Sequence, residues 1–317
     1  MRSITIESDL LSVTLLDLGA RIARIKFKDK DLALRYQETQ SFENDSFYLG
    51  ATIGPITNRV KNGEFYVHDR LCVLPKNEGS NSLHSGSQGF DNKYWQIDQI
   101  NKQCVRFRLV TSLEDIGLEG ELNTYATYQI KGNELHIEYV NSSSCDAFVN
   151  TTNHVYLNLS GNSLSGKNKS VHDHKFVLHA ENFVVCDNFN IPTGTFKKLK
   201  SPTHFTLGDD GEIAEFADGI DHHFNIVGEN DTDLKTLVEA RSKTTGIELK
   251  VKSTSPGYQF YTATHLGHPF TPSGGFCVEA QYAPDAINQG NFFSPLLKAG
   301  EERKQKIVFE FSSGDDL

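Results

Sequence analysis

The chain has 317 residues, 38% of them hydrophobic and 23% charged, which supplies a substantial core and excludes a disordered chain. A formal net charge of -10 and a pI of about 5.6 set any nucleic-acid backbone or anionic membrane surface against overall repulsion. No apolar run reaches the length of a membrane span, and the N-terminal MRSITIESDL alternates charged and apolar residues without the apolar centre of a signal peptide, which points to the cytoplasm.

In chain order the predicted strands start with SVTLLDLG from Ser12 and CVRFRLVTS from Cys104. TYATYQI and ELHIEYV then flank Lys131-Gly132-Asn133 as a hairpin. In NTTNHVYLNLSG, from Asn150, residues Asn153 to Leu159 read as a strand. One face would carry Val155, Leu157 and Leu159 into a core, and the other carries His154, Tyr156 and Asn158, polar groups that nothing in the strand explains. GNSLSGKNKSVHDHK, from Gly161, is rich in Gly, Ser, Asn and Lys and reads as an exposed loop. We take it as an insertion and not a domain boundary, because strand-like sequence resumes at once with KFVLHAENFVV. Further strands are expected at GIELKVKS, GYQFYTAT and KIVFEFSS. With few helical windows, the fold class is all-β, a sandwich spanning 1–317 as a single domain.

Five cysteines, Cys72, Cys104, Cys145, Cys186 and Cys277, are odd in number and lack a C-x-x-C pairing, so they read as reduced and mostly buried thiols. Histidine, carboxylate and amide side chains gather in five segments. ATIGPITNRVKNGEF holds Asn58 and Arg59, which alone would read as a surface turn. NSLHSGSQGFDNKYW places His84 in a small-residue loop ahead of Trp95, either solvated or facing a ligand. The third segment is the His154 stretch. The fourth, GIDHHFNI, carries Asp221, His222 and His223, a carboxylate-imidazole set that suits a divalent metal and is shared with the Asp-His-His phosphoesterases. Those are α/β proteins with further metal-binding aspartates that this N-terminal part lacks, and HDH at His172 to His174 lies in the expected loop. The fifth, CVEAQYAPDAINQ, sets Glu279 and Gln281 on one strand face and Val278 and Ala280 on the other, with Pro284 ending the pairing. Opposite His154 across a cleft, Glu279 would make an acid/base pair. On an exposed edge it would be inert.

These segments, in this order, resemble the aldose 1-epimerases, the galactose mutarotase family. NTTNHVYLNLSG resembles the family's Asn-His-x-Tyr-x-Asn-Leu stretch, NSLHSGSQGFDNKYW its Leu-His-Gly-Gly loop, and EAQYAPDAIN its Glu-x-Gln segment followed by Pro-Asp-Ala. IPTGTFKKL, PGYQFYTAT and VTLLDLGARIARIKF also fit, so the resemblance spans nearly the whole chain. It implies a large antiparallel β-sandwich with an open groove into which His154, Tyr156 and Asn158 look. It implies Glu279 as the base that deprotonates the anomeric hydroxyl and His154 as the acid that protonates the ring oxygen, with Asn58, Arg59, His84, Asp221 and Gln259 holding the hydroxyls. The implied reaction interconverts the α and β anomers of a free hexose such as galactose or glucose, with no cofactor and no metal. The implied partner is that small sugar, met by a monomer or homodimer, and neither nucleic acid nor membrane.

The chain departs from the family pattern at several positions. Pro55 stands where the first arginine of Gly-Arg-x-x-Asn-Arg is common, Ser85 replaces the first Gly of His-Gly-Gly, and His223 replaces an Asn. EDIGLEGEL keeps the Gly spacing of its loop without the usual proline. These changes bear on substrate preference, since the acid, the base and the main ligand positions are retained. Two alternatives are a hexose-6-phosphate 1-epimerase, which would need a cluster of Arg and Lys, and a sugar-binding protein without catalysis.

Overall fold

Strand dominates the computed structural model, which describes residues 1–161, 163–208, 216, 218–226 and 233–314. Nine strands form the large sheet in the spatial order Gln96–Asn101, Cys104–Ser112, Glu121–Lys131, Glu134–Ser143, Glu302–Ser313, Ile247–Ser253, Lys235–Ser242, His174–Leu178 and Thr203–Phe205. Each neighbouring pair is antiparallel. Its sequence shows why: along Glu121–Lys131 every second residue, from Leu122 through Thr124, Ala126 and Tyr128 to Ile130, is buried, the period of a half-covered strand.

A smaller sheet of five strands packs against the large one, in the order Pro192–Lys198, Asn182–Cys186, Asp221–Asn225, Gly257–Tyr261 and Cys277–Gln281. Its register pairs Asp221 with Tyr261, His223 with Gln259, Gln259 with Glu279, and Tyr261 with Cys277, so these polar side chains share one face. The opposite face carries Phe224, Tyr258, Phe260, Val278 and Ala280 into the common core. Phe176 of the large sheet meets Phe260 of the small one edge to face, ring centroids 5.2 Å apart. One apolar face is thus buried between the sheets, and the other is left to carry chemistry. A four-stranded N-terminal sheet, Ser3–Glu7, Leu11–Leu16, Arg21–Phe27 and Lys30–Asp31, adds Ile6, Val13, Ile25 and Phe27 to the same core.

Three local expectations are refined or corrected. The strand-like KFVLHAENFVV is divided between two strands, His174–Leu178 in the large sheet and Asn182–Cys186 in the small one. The chain changes sheets at His179 to Glu181, where the His179 N–H donates to Leu237 and the Glu181 N–H to Asn225. Residues Asn153 to Leu159 are not a regular strand either. Thr152–Asn153 pairs with Thr52–Ile53, and beyond it the N–H groups of His154, Leu157 and Asn158 go to Ala51, Phe276 and Leu32 in turn. No ladder forms because each partner belongs to a different segment. Finally, the segment after Gly161 is not simply exposed: Ser163, Ser165, Asn168 and Val171 are buried, while Asn162 lies outside the described residues.

Candidate active site

Loops converge on the polar face of the small sheet. Arg59–Val60 pairs with Ser82–Leu83, and this bridge brings His84 beside Asn58. The His84 N–H donates to the Asn58 carbonyl, and the Asn58 N–H donates to His84 Nδ1, both at 3.1 Å. With Nδ1 accepting, a neutral His84 carries its proton on Nε2 and presents a donor outward. Asn58, His84 and Ser85 all adopt positive φ, of 66°, 54° and 67°. Such left-handed geometry is uncommon outside glycine. Ser85 holds it in place, since its Oγ accepts from the Ile56 N–H and donates to the Ile56 carbonyl, each at 3.0 Å.

The result is a cavity of about 470 Å³ lined by Tyr48, Asn58, Arg59, Glu78, His84, His154, Tyr156, Asp221, Tyr261 and Glu279, among others. His154 Nε2 lies 3.6 Å from Glu279 Oε1, and both side chains are almost fully buried. Arg59 forms a two-pronged ion pair with Glu78, Nε to Oε2 at 2.7 Å and Nη2 to Oε1 at 2.9 Å. Its Nη1 stands 3.7 Å from Asp221 Oδ2. The Asn58 Oδ1 accepts the Arg59 N–H at 2.8 Å, which leaves its amide hydrogens for the cavity.

Burial governs the electrostatics. It pushes the Glu279 carboxyl well above the ordinary carboxylate value, with the charge of Asp221 adding to the effect and Arg59 opposing it. It pulls His154 down to about 4 and His84 well below the usual imidazole range. Burial thus disfavours charge on both members of the His154–Glu279 pair and favours the form with its one proton on Glu279. Glu279 Oε2 is buried with no hydrogen-bond partner among the described residues.

The structure therefore brings Asn58, Arg59, His84, His154, Asp221 and Glu279 to one cavity. Gln259 lies behind it: buried on the sheet, it donates from Nε2 to Asp221 Oδ1 at 2.7 Å and orients that carboxylate. Tyr156 lines the cavity as expected, but Asn158 does not. Fully buried, it donates to the carbonyls of Lys169 and Gly274 at 2.9 Å and ties the 161–173 segment to the core. Sequence reasoning missed Tyr48, whose ring lies 4.7 Å from His84, and Tyr261. It also missed Glu78, whose one signal was an acidic residue six positions ahead of His84.

His84, His154 and Glu279 each offer a potential metal-ligand atom within 4.8 Å of the others. The set does not fit a metal, because the Asn58 N–H occupies Nδ1 of His84 and the outward Nε2 bears the ring hydrogen. Asp221, His222 and His223 do not converge. Asp221 faces the cavity, His222 packs on Phe216 with ring centroids 4.7 Å apart, and His223 lines a separate cavity of about 230 Å³. His174 is fully buried against Asp173, while His172 is exposed.

The aldose 1-epimerase family model matches residues 2–310. The chain is 32% identical to the galactose mutarotase of Homo sapiens, covering 97% of this chain and 93% of that one. It is 30% identical to the aldose 1-epimerase of Escherichia coli K12, covering 94% and 91%. An aldose epimerase homologue from C. elegans superposes with a TM-score of 0.89 at 26% identity, covering 98% and 99%. The galactose 1-epimerase of Lactobacillus acidophilus shares the fold at a TM-score of 0.81 and 22% identity, covering 98% and 94%. The chain belongs to the aldose 1-epimerase family.

Proposed function

We propose that the chain interconverts the α and β anomers of a free hexose such as galactose or glucose, with Glu279 as the base and His154 as the acid. The observation that carries the assignment is the buried pair itself, His154 Nε2 facing Glu279 Oε1 at 3.6 Å with Glu279 Oε2 unpartnered. An unpartnered buried carboxyl oxygen is costly, and a sugar hydroxyl would satisfy it.

The pair holds one mobile proton. In its charge-separated form, Glu279 carboxylate and His154 imidazolium, Glu279 takes the proton of the anomeric hydroxyl as the C1–O5 bond breaks, and His154 Nε2–H protonates O5. The open-chain aldehyde then faces a carboxylic acid and a neutral imidazole. After rotation about C1–C2, O5 attacks the other face of C1. Nε2 takes back the O5 proton, Glu279 returns one to O1, and the pair ends as it began. His84 Nε2–H donates to the hydroxyls, the Asp221 carboxylate accepts from them, and Arg59 and Asn58 supply further donors. Gln259 acts through Asp221.

Arg59 is the one Arg or Lys among the described cavity-lining residues, and Glu78 and Asp221 already engage it. This supports a free sugar over a sugar phosphate. The five free thiols suit a reducing compartment, and we place the protein in the cytoplasm as one catalytic unit. Among the described residues no helix is long and apolar enough to cross a membrane. Polarimetry of freshly dissolved α-D-galactose tests the assignment, with glucose 6-phosphate run in parallel. Faster approach to equilibrium for the free sugar is expected. A clear preference for the phosphate, or sugar binding without acceleration, would overturn it.

A further inference from the structure

His154 points Nε2 into the cavity and turns Nδ1 to the sulfur of Cys277, 3.6 Å away. Cys277 opens the strand that carries Glu279 two residues later, so one strand supplies the base and the group behind the acid. Both ends of the contact are shielded, Cys277 at 0% and His154 at 5% exposure. The rings of Tyr156 and Tyr48 lie 5.0 and 6.0 Å from the imidazole and confine it further.

In the proton cycle above, Nε2 gives and takes a proton while Nδ1 keeps its own. A neutral imidazole with a lone pair on Nε2 must carry its hydrogen on Nδ1. What stands opposite Nδ1 therefore decides whether ring closure can begin. A group that only donates there would select the opposite tautomer and block the return of the O5 proton. A carboxylate would select the right tautomer but would also stabilise the imidazolium and weaken it as an acid. A thiol sulfur is a weak acceptor and does neither harm. Burial pushes the Cys277 thiol well above its ordinary value, so it stays uncharged.

We propose that Cys277 is a positioning residue for the epimerisation: its sulfur accepts the Nδ1–H of His154, aims Nε2 at Glu279 and the ring oxygen, and holds the tautomer that recovers the proton on closure. The inference rests on His154 being the acid.

The test compares Cys277→Ala, which removes the acceptor, with Cys277→Ser, which keeps one. The alanine variant should lose kcat on the order of 10-fold or more with KM nearly unchanged, and serine should restore most of it. A role in packing alone predicts another order, because a buried hydroxyl is tolerated no better than a methyl group at an apolar site. Alanine as fast as the parent, or serine as slow as alanine, overturns the proposal. Imidazole 15N NMR of the parent protein gives a reading that needs no variant. At neutral pH, His154 should show a protonated Nδ1 and a bare Nε2, and the reverse tautomer overturns the proposal. In a His154→Asn background, Cys277→Ala should add no further loss. If His154→Asn and Glu279→Gln abolish turnover while Cys277→Ala turns over as fast as the parent, the acid/base assignment stands and this inference alone falls.

Discussion

His84 and Asn58 are locked by a reciprocal pair of 3.1 Å hydrogen bonds, one backbone to backbone and one from the Asn58 N–H to the His84 ring. The second bond settles the chemistry of the imidazole. It makes the cavity-facing nitrogen a donor, and burial keeps the ring uncharged. In the proposed mechanism His84 holds a hydroxyl oxygen and leaves proton transfer to His154, whose centroid lies 5.4 Å away at nearly a right angle. On that proposal the two histidines of one cavity differ in task because of what stands behind each ring.

Glu279→Gln keeps the shape of the base and removes its capacity to take a proton. Turnover should fall by roughly 10²- to 10⁴-fold while sugar affinity changes little. His154→Asn should lose a similar amount, and the double variant much less than the product of the two losses, because both act on one proton transfer. Polarimetric rates of the four proteins complete the cycle. Near-normal turnover in Glu279→Gln would move the base assignment to Asp221.

In the proposed mechanism the acid/base pair works with one proton between its members, and that sets the pH window. Acidification adds a second proton to His154, held down to about 4 by burial, and leaves no base. Alkali removes the one proton as pH rises through the raised value of Glu279. The acid limb of kcat/KM should therefore fall near pH 4 and not near 6.5, the ordinary imidazole value. Initial rates, with the uncatalysed mutarotation subtracted, check this, and an acid limb at the ordinary histidine position contradicts it.

Ser85→Ala removes the hydroxyl that serves both the N–H and the carbonyl of Ile56. Leaving buried backbone groups unpaired costs about 1–3 kcal/mol. Because the same residue supports the left-handed turn at His84, KM for the sugar should rise along with the loss of stability. Denaturant melts and sugar titration measure the two effects. An unchanged KM in a destabilised variant would separate the turn from the site.

His223 is pushed down to about 3 by burial, partly offset by the Asn225 side chain. Above pH 6.5 the ring is neutral folded or unfolded, and it makes no pH-dependent difference. As pH falls below that value the unfolded chain binds a proton that the fold refuses, so stability is lost, on the order of 2 kcal/mol by about pH 5. His223→Asn should show a shallower acid loss than the parent when melts near pH 7.5 and 5 are compared. Parallel losses in the two proteins would show that the ring is charged or solvated in the fold.

The sequence alone determined whatever depends on neighbours along the chain. Alternation with a period of two is local, so Cys104–Ser112, the hairpin at Gly132 and the placing of Glu279 and Gln281 on one face of Cys277–Gln281 were all legible before folding. The resemblance to the epimerases named seven residues that fold to one cavity. Only the tertiary structure decided the rest, because each point turns on a partner far away in sequence. Asn158 leaves the cavity because the carbonyls of Lys169 and Gly274 claim its amide, and Gln259 sits behind Asp221 because strand register sets it there. The His84 tautomer follows from a backbone N–H 26 residues upstream, and the Nδ1 contact of His154 from a cysteine 123 residues downstream. Residue type announced which groups can move protons or hold hydroxyls, but which of their atoms faces the cavity is fixed by long-range contacts that no local pattern encodes.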